Sequence, residues 1–276
     1  MADTTVRVGA VQAEPVWLDL QGSVNKTISL IEEAAADGVQ VLGFPEVWIP
    51  GYPATASETV EAFTWASRSS PQTAKLPTTA ERSSRHIERT IWGEGQAESL
   101  TCVVPSPFGK IGGLNCWEHL QPLLRYYEYS QGVQIHVASW PAEFEMPDPK
   151  KLPWLYHETG EASYRASQFM AIEGQCFVLV ASQILTEENL EKNNLTGNPV
   201  TKTPGGGFSM IFGPDGKPLC EPVGAGEEVI LKANVNLRDI DYPKAFIDVV
   251  GHYARPDLLS LLVNPSVDKH VTRMDK

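Results

Sequence analysis

Two side chains in this sequence pair a reactive type with a suitable local setting. Cys116 closes the run Gly112-Gly113-Leu114-Asn115-Cys116-Trp117-Glu118, which reads as a strand end whose glycines permit close approach of backbone or ligand. A thiol attacks only as the thiolate, so this one needs a base or cation supplied from elsewhere in the chain. Glu46 follows a buried strand and Pro45, and precedes Val47-Trp48-Ile49-Pro50-Gly51-Tyr52-Pro53. A carboxylate leaving the C-terminal end of a strand stands where open α/β sheets take their ligands. Framed by apolar residues, it suits the task of taking a proton from a thiol and returning it to a leaving amine. Each residue also has a plainer reading, a buried structural cysteine or a carboxylate that caps a turn. Cys176, ahead of Phe177-Val178-Leu179-Val180, is the better example of a structural thiol. Tyr52, Trp117 and Trp140 are candidates to line an apolar pocket, although packing is the default role of such rings.

The elements that must position these residues follow a β-α-β grammar. Val6 to Val11 alternates as a half-buried strand, and Leu18 to Ala36 carries Leu20, Val24, Ile28, Ile31 and Ala35 near helical period. Gly38 closes that helix, and Val39 to Phe44 is a second strand that stops at Pro45. The pattern returns twice. Strand Lys110–Asn115, helix Gln121–Gln131 and strand Val133–Ala138 form one round; helix Glu161–Glu173 and strand Cys176–Ala181 begin the next. Phe208–Phe212, the turn Gly213-Pro214-Asp215-Gly216 and Glu228–Val235 read as a late antiparallel hairpin. Alternating elements of this kind predict an α/β protein with a mixed sheet, or a pair of sheets, flanked by helices. Ala54 to Arg85 breaks the grammar: it is rich in Ser, Thr, Ala and Pro and holds no sustained period.

Bulk properties remove several function classes. A chain of 276 residues with 42% apolar content buries a sizeable core, and a net charge of −12 argues against nucleic acid as a partner. No apolar run approaches the length that spans a bilayer, so no membrane partner is expected. The 4 cysteines show no CxxC pairing and follow no secretory leader, which predicts a cytoplasmic protein. The 6 histidines form no cluster of metal-ligand spacing, and neither a metal nor another cofactor is expected.

Taken together, the motifs resemble the nitrilase branch of the carbon-nitrogen hydrolases, and most of all the fungal aromatic and arylaceto nitrilases. Phe44-Pro45-Glu46-Val47-Trp48-Ile49-Pro50-Gly51-Tyr52-Pro53 is similar to the family's glutamate motif, and Gly113-Leu114-Asn115-Cys116-Trp117-Glu118 to its nucleophile motif. His136-Val137-Ala138-Ser139-Trp140-Pro141 and Gly251-His252-Tyr253-Ala254-Arg255-Pro256-Asp257 fit as well. The resemblance covers residues 1 to 53 and 86 to about 265. It implies one carbon-nitrogen hydrolase domain over 1–276, built as a four-layer α-β-β-α sandwich that forms a homodimer or a larger helical homo-oligomer. It implies a small-molecule nitrile as substrate, with no cofactor, and hydrolysis to acid and ammonia; hydration that stops at the amide, as in cyanide hydratase, is the alternative. Cys116 is then the nucleophile, Glu46 the base and Glu88 a supporting carboxylate, with Trp117 N–H sharing the stabilisation of charge.

The sequence departs from the family at its catalytic lysine. Family members carry a basic run just ahead of His-x-Glu-Arg, where this chain has Glu81-Arg82-Ser83-Ser84-Arg85; Lys75-Leu76-Pro77-Thr78 is a displaced echo. Segment 54–85 is therefore expected to be shortened, by a deletion or a misjoined exon, with part of the sheet region missing. An inactive, assembly-only paralogue is the corresponding reading from outside the enzymes.

Overall fold

In the computed structural model the described residues are 4–49, 51, 97–148, 150–152 and 154–264. Strand β1 (Thr5–Ala13) is buried along nearly its whole length, and helix α1 (Leu20–Ala36) begins where the Asp19 carboxylate accepts from Gly22 N–H. The helix closes as the sequence predicts, with Gly38 at φ +77° and Val39 N–H returning to Ala34 O. Strand β2 (Val41–Gly43) follows. Beyond the undescribed stretch come β3 (Val104–Ser106), β4 (Gly109–Asn115), α2 (Pro122–Ser130), β5 (Ile135–Trp140), α3 (Gly160–Gly174) and β6 (Phe177–Gln183). Strands β7 (Met210–Phe212) and β8 (Val229–Asn236) and the short helix α4 (Asp241–Phe246) complete the described chain.

The strands form one connected sheet that folds over on itself. β1 gives one edge to β8, antiparallel from Thr5–Asn236 to Gln12–Val229, and divides the other between β2 and β6, both parallel to it. β6 in turn pairs with β5 in parallel and with β7 in antiparallel fashion, and β5 continues in parallel to β4. Two sheets thus diverge from the β1–β6 junction, one of β2, β1 and β8, the other running from β3 to β7. The apolar side chains sort into three layers accordingly. Val6, Val8, Ala10, Leu231 and Val235 from the first sheet meet Ile135, Phe177, Leu179 and Ile211 from the second. Val11, Ala13 and Ile230 meet Ala34, Leu30 and Trp48 on the α1 side, while Leu114, Ala138, Val178 and Phe212 meet Tyr129, Met170 and Ala171 under α2 and α3. The order is α1, sheet, sheet, α2 with α3: the four-layer α-β-β-α sandwich that the resemblance implies.

The expected hairpin is corrected. β7 and β8 do not pair with each other; the turn after Phe212 closes locally, with Gly213 N–H on Lys217 O and a bridge from Phe212 to Pro218. The two strands then serve different sheets, β7 on β6 and β8 on β1. Turn chemistry specifies the reversal, not the destination of the strand after it.

Candidate active site

Five strands, β1, β2, β4, β5 and β6, run parallel, so their C-terminal ends open on one side of the molecule. Glu46 leaves the end of β2 and Cys116 the end of β4. The strand between them ties the two together: Ser139 on β5 lies opposite Asn115 and donates from its Oγ to Phe44 O at 2.8 Å. Gln183, the last residue of β6, donates from Nε2 to Glu46 O at 2.7 Å, so Glu46 is held by its own backbone.

Both reactive residues sit at left-handed kinks. Cys116 itself has φ +43°, and Val47, immediately after Glu46, has φ +42°. Such a conformation is costly for a side chain with a Cβ, most of all a β-branched one, and persists only where the surroundings over-determine it. Around Glu46, Gly51 N–H returns to Val47 O at 2.9 Å and Trp48 Nε1 donates to Thr27 Oγ1 of α1 at 2.7 Å. Gly51 has φ +116° and lies against the Trp17 ring, where a Cβ would come within 2.4 Å. Around Cys116, a 3-10 turn of Cys116–Leu120 starts directly at the thiol. Glu118 Oε2 accepts from Asn115 N–H at 2.8 Å just before it, and His119 Nδ1 meets Cys116 O at 2.7 Å just after. Glu46 is 3% exposed and Cys116 is half-buried.

Other residues at this end shape the rim. Glu14, beyond β1, accepts from Thr186 N–H and Oγ1, Asn189 Nδ2 and Trp17 Nε1, which pins the loop after β6. A water-sized cavity of about 30 Å³ lies between Trp17, Pro141, Ala142, Phe144, Gln183 and Leu185. The Glu143 carboxyl reaches Ser163 of α3; burial, with Glu158 nearby, pushes it up to about 8. Trp117 packs its ring against His157 at 5.6 Å. Trp140 differs from the expectation of a pocket wall: it is 0% exposed, donates to Ser167 Oγ at 2.9 Å and stacks on His119. Its indole supports the floor behind Cys116. Glu88, Tyr52 and Lys75 lie outside the described residues. Cys176 is fully buried, and burial, with Glu128 second, holds its thiol far above the ordinary range, as a structural cysteine requires.

Sequence reading missed His119, His136 and Glu128 as members of this site. The histidines were weighed for metal-ligand spacing, with His136 otherwise only as part of the run His136–Pro141, and the signal available was Gly112. Gly112 pairs with His136 in the β4–β5 register, and a Cβ there would come within 2.2 Å of Glu128 Oε1.

The layered α-β-β-α fold, with a thiol and a carboxylate at neighbouring parallel strand ends, defines the class as an α/β protein of hydrolase architecture. A sequence profile of the carbon-nitrogen hydrolase family matches residues 7–83 and 72–242, and the chain belongs to that family. It is 68% identical to a protein from Talaromyces marneffei named nitrilase, over 98% of this chain and 99% of that one. It is 40% identical to an arylacetonitrilase from Aspergillus kawachii, over 96% and 94% of the two chains. A solved carbon-nitrogen hydrolase from Helicobacter pylori shares the fold, with a TM-score of 0.60, 13% identity and coverage of 88% of this chain and 93% of that one. The Talaromyces alignment extends over 318 residues although this chain has 276, and the profile match breaks into two parts that overlap at 72–83. Tens of positions in that relative therefore have no counterpart here.

Proposed function

We propose that this protein is a nitrilase that converts an organic nitrile, aromatic or arylaliphatic, to the carboxylic acid and ammonia. What supports the reading most is the convergence of Cys116 and Glu46, both at left-handed kinks, on one end of the parallel strands, in a chain so close to fungal nitrilases. Cys116 is the nucleophile and Glu46 its base. Glu46 takes the thiol proton as Sγ bonds to the nitrile carbon, and that proton passes to the nitrogen to give a thioimidate. A first water adds across the C=N bond, and the tetrahedral carbon expels ammonia as Glu46 takes the proton of the new hydroxyl and passes it to the nitrogen. A second water, deprotonated by the same carboxylate, cleaves the resulting thioester to acid and thiol. Each addition places negative charge on nitrogen or oxygen, for which Trp117 N–H is the backbone donor. Glu88 acts as the supporting carboxylate, and Tyr52 and Trp117 contact the substrate.

The shortened segment 54–85 is read as a deletion relative to the family, consistent with the broken profile match. Among the described residues no helix is long and apolar enough to cross a membrane. The protein is taken to work in the cytoplasm as a homodimer or helical homo-oligomer; exposed Phe246, Leu258, Leu259 and Leu262 offer apolar surface for assembly.

The test is turnover of phenylacetonitrile and aliphatic nitriles by the full chain, with ammonia, acid and amide quantified together. Equal ammonia and acid are expected, and Cys116→Ala should lower turnover by on the order of 10⁴-fold or more. Amide without ammonia would assign hydration instead, and a folded wild type without turnover would assign the assembly-only reading.

A further inference from the structure

Behind the nucleophile lies a line of polar side chains to which the reaction as described gives no part. Glu128 on α2, His136 on β5 and His119 in the turn after Cys116 are 0%, 0% and 1% exposed. Glu128 Oε1 meets His136 Nδ1 at 2.8 Å, His136 Nε2 meets His119 Nε2 at 2.9 Å, and His119 Nδ1 meets Cys116 O at 2.7 Å. We propose that Glu128, His136 and His119 are positioning residues for the nitrilase reaction: their hydrogen-bonded chain fixes the Cys116–Trp117 peptide so that Trp117 N–H faces the charge that develops on substrate. The inference rests on the functional reading above.

Proton counting gives the chain a single direction. A carbonyl oxygen only accepts, so His119 Nδ1 carries a proton and donates it to Cys116 O. His119 is neutral: burial, then His136 and Arg125, hold its pKa well below the ordinary histidine value against the opposing pull of the Cys116 carbonyl. Its Nε2 is therefore an acceptor, and His136 Nε2 supplies the proton between the rings. One further proton lies on the contact between His136 Nδ1 and Glu128, which anchors the far end.

The effect on the site follows from the geometry of a trans peptide, in which C=O and N–H point in opposite directions. With the Cys116 carbonyl drawn inward by His119, Trp117 N–H is directed away from the core. A donor on the carbonyl also polarises the peptide and strengthens its N–H as a donor. The surroundings keep the line in register. Arg125 Nη1 donates to His119 O at 2.6 Å while its other nitrogens grip Glu173, which also accepts from Tyr129. The Trp140 ring stacks on His119 with centroids 5.0 Å apart. Among the described residues, Cys176, Lys244 and Glu118 are further ionisable groups nearby. Three buried ionisable side chains are a poor route to stability, since apolar residues of similar volume do as well or better. Their fixed directions are what apolar residues lack.

His119→Phe keeps the stacked ring and removes the donor, whereas His119→Asn keeps an N–H at the Nδ1 position. In the full-length protein, His119→Phe is expected to lower kcat on phenylacetonitrile by about 10- to 100-fold with KM unchanged, and His119→Asn to recover most of it. Glu128→Gln, which preserves volume, loosens the far end and is expected to lower kcat by a smaller factor, about 3-fold. Equal losses in Phe and Asn variants, or no loss in either, would overturn the proposal; if His119→Phe does not fold, an unchanged kcat in Glu128→Gln overturns it. The Trp117 amide resonance provides a reading independent of turnover: it is expected to shift in His119→Phe and return in His119→Asn. Wild type inactive towards every nitrile would refute the functional reading alone, and an unmoved Trp117 amide in His119→Phe would refute this inference alone.

Discussion

The two interfaces of the second sheet are built from different material. Its inner face, against β1 and β8, is apolar through its middle, where Ile135, Phe177, Leu179 and Ile211 meet Val6, Val8, Leu231 and Val235, and turns polar at the strand ends with Gln12, Ser139 and Gln183. Its outer face, under α2 and α3, threads polar groups through the apolar packing. Glu128, His136 and His119 run behind Cys116, Ser167 holds Trp140, and Ser163 meets Glu143. Apolar burial is non-directional and supplies free energy in proportion to area. Hydrogen bonds contribute less on balance but specify angles. The inner layer holds the sandwich together, and the outer one aims the residues at the strand ends.

That division is open to attack by mutation. Leu179→Ala, in the inner layer, is expected to cost about 2–5 kcal/mol in urea unfolding while leaving kcat per folded molecule unchanged. A parallel drop in kcat would erase the distinction between the layers.

Glu143 sharpens it through pH. Burial raises this carboxyl from 4.5 to about 8, so the folded protein keeps it protonated while the unfolded chain releases the proton. The associated stability is present in full below about pH 4.5 and is lost as pH rises through about 8. Glu143→Gln should flatten that decline, by about 2–4 kcal/mol across the window, read from urea midpoints at pH 5 and pH 9. A wild-type curve no steeper than that of the variant would count against a buried, neutral Glu143.

The smallest effect expected is at Ser167. Ser167→Ala leaves the buried Trp140 Nε1 without its acceptor and should cost about 1–3 kcal/mol. It should also lower kcat more than Leu179→Ala does, because Trp140 stacks on His119. Matched kinetics for the two variants would mean that the outer layer only fills space.

Much of this was legible in the sequence, for identifiable reasons. β1, α1, β4, α2, α3 and β6 announce themselves through period, and the Asp19 cap and Gly38 mark the limits of α1 within a few residues of the expected span. That Glu46 and Cys116 lie at the same end of the sheet was legible because each follows a strand, and parallel strands end on one side. The hairpin failed because β7 and β8 choose partners through long-range apolar matching, which no turn encodes. The histidine line stayed hidden because its members are 8 and 17 residues apart in sequence, joined only by sheet register and a missing side chain at Gly112. Trp140 looked like a binding aromatic because period alone does not tell a pocket wall from a floor.

The arrangement of β1 bears on how the chain is made. It precedes the other described strands in the chain, yet β8, its longest partner, pairs Thr5 with Asn236. β6, which shares its other edge, pairs at Gln12–Ser182. A nascent chain that has not yet released β8 presents an apolar strand with its β8 edge unmatched, so this part of the sandwich waits until residues up to 236 have been made. Synthesis order and folding order are therefore decoupled along β1, whose edges both take partners from far later in the chain.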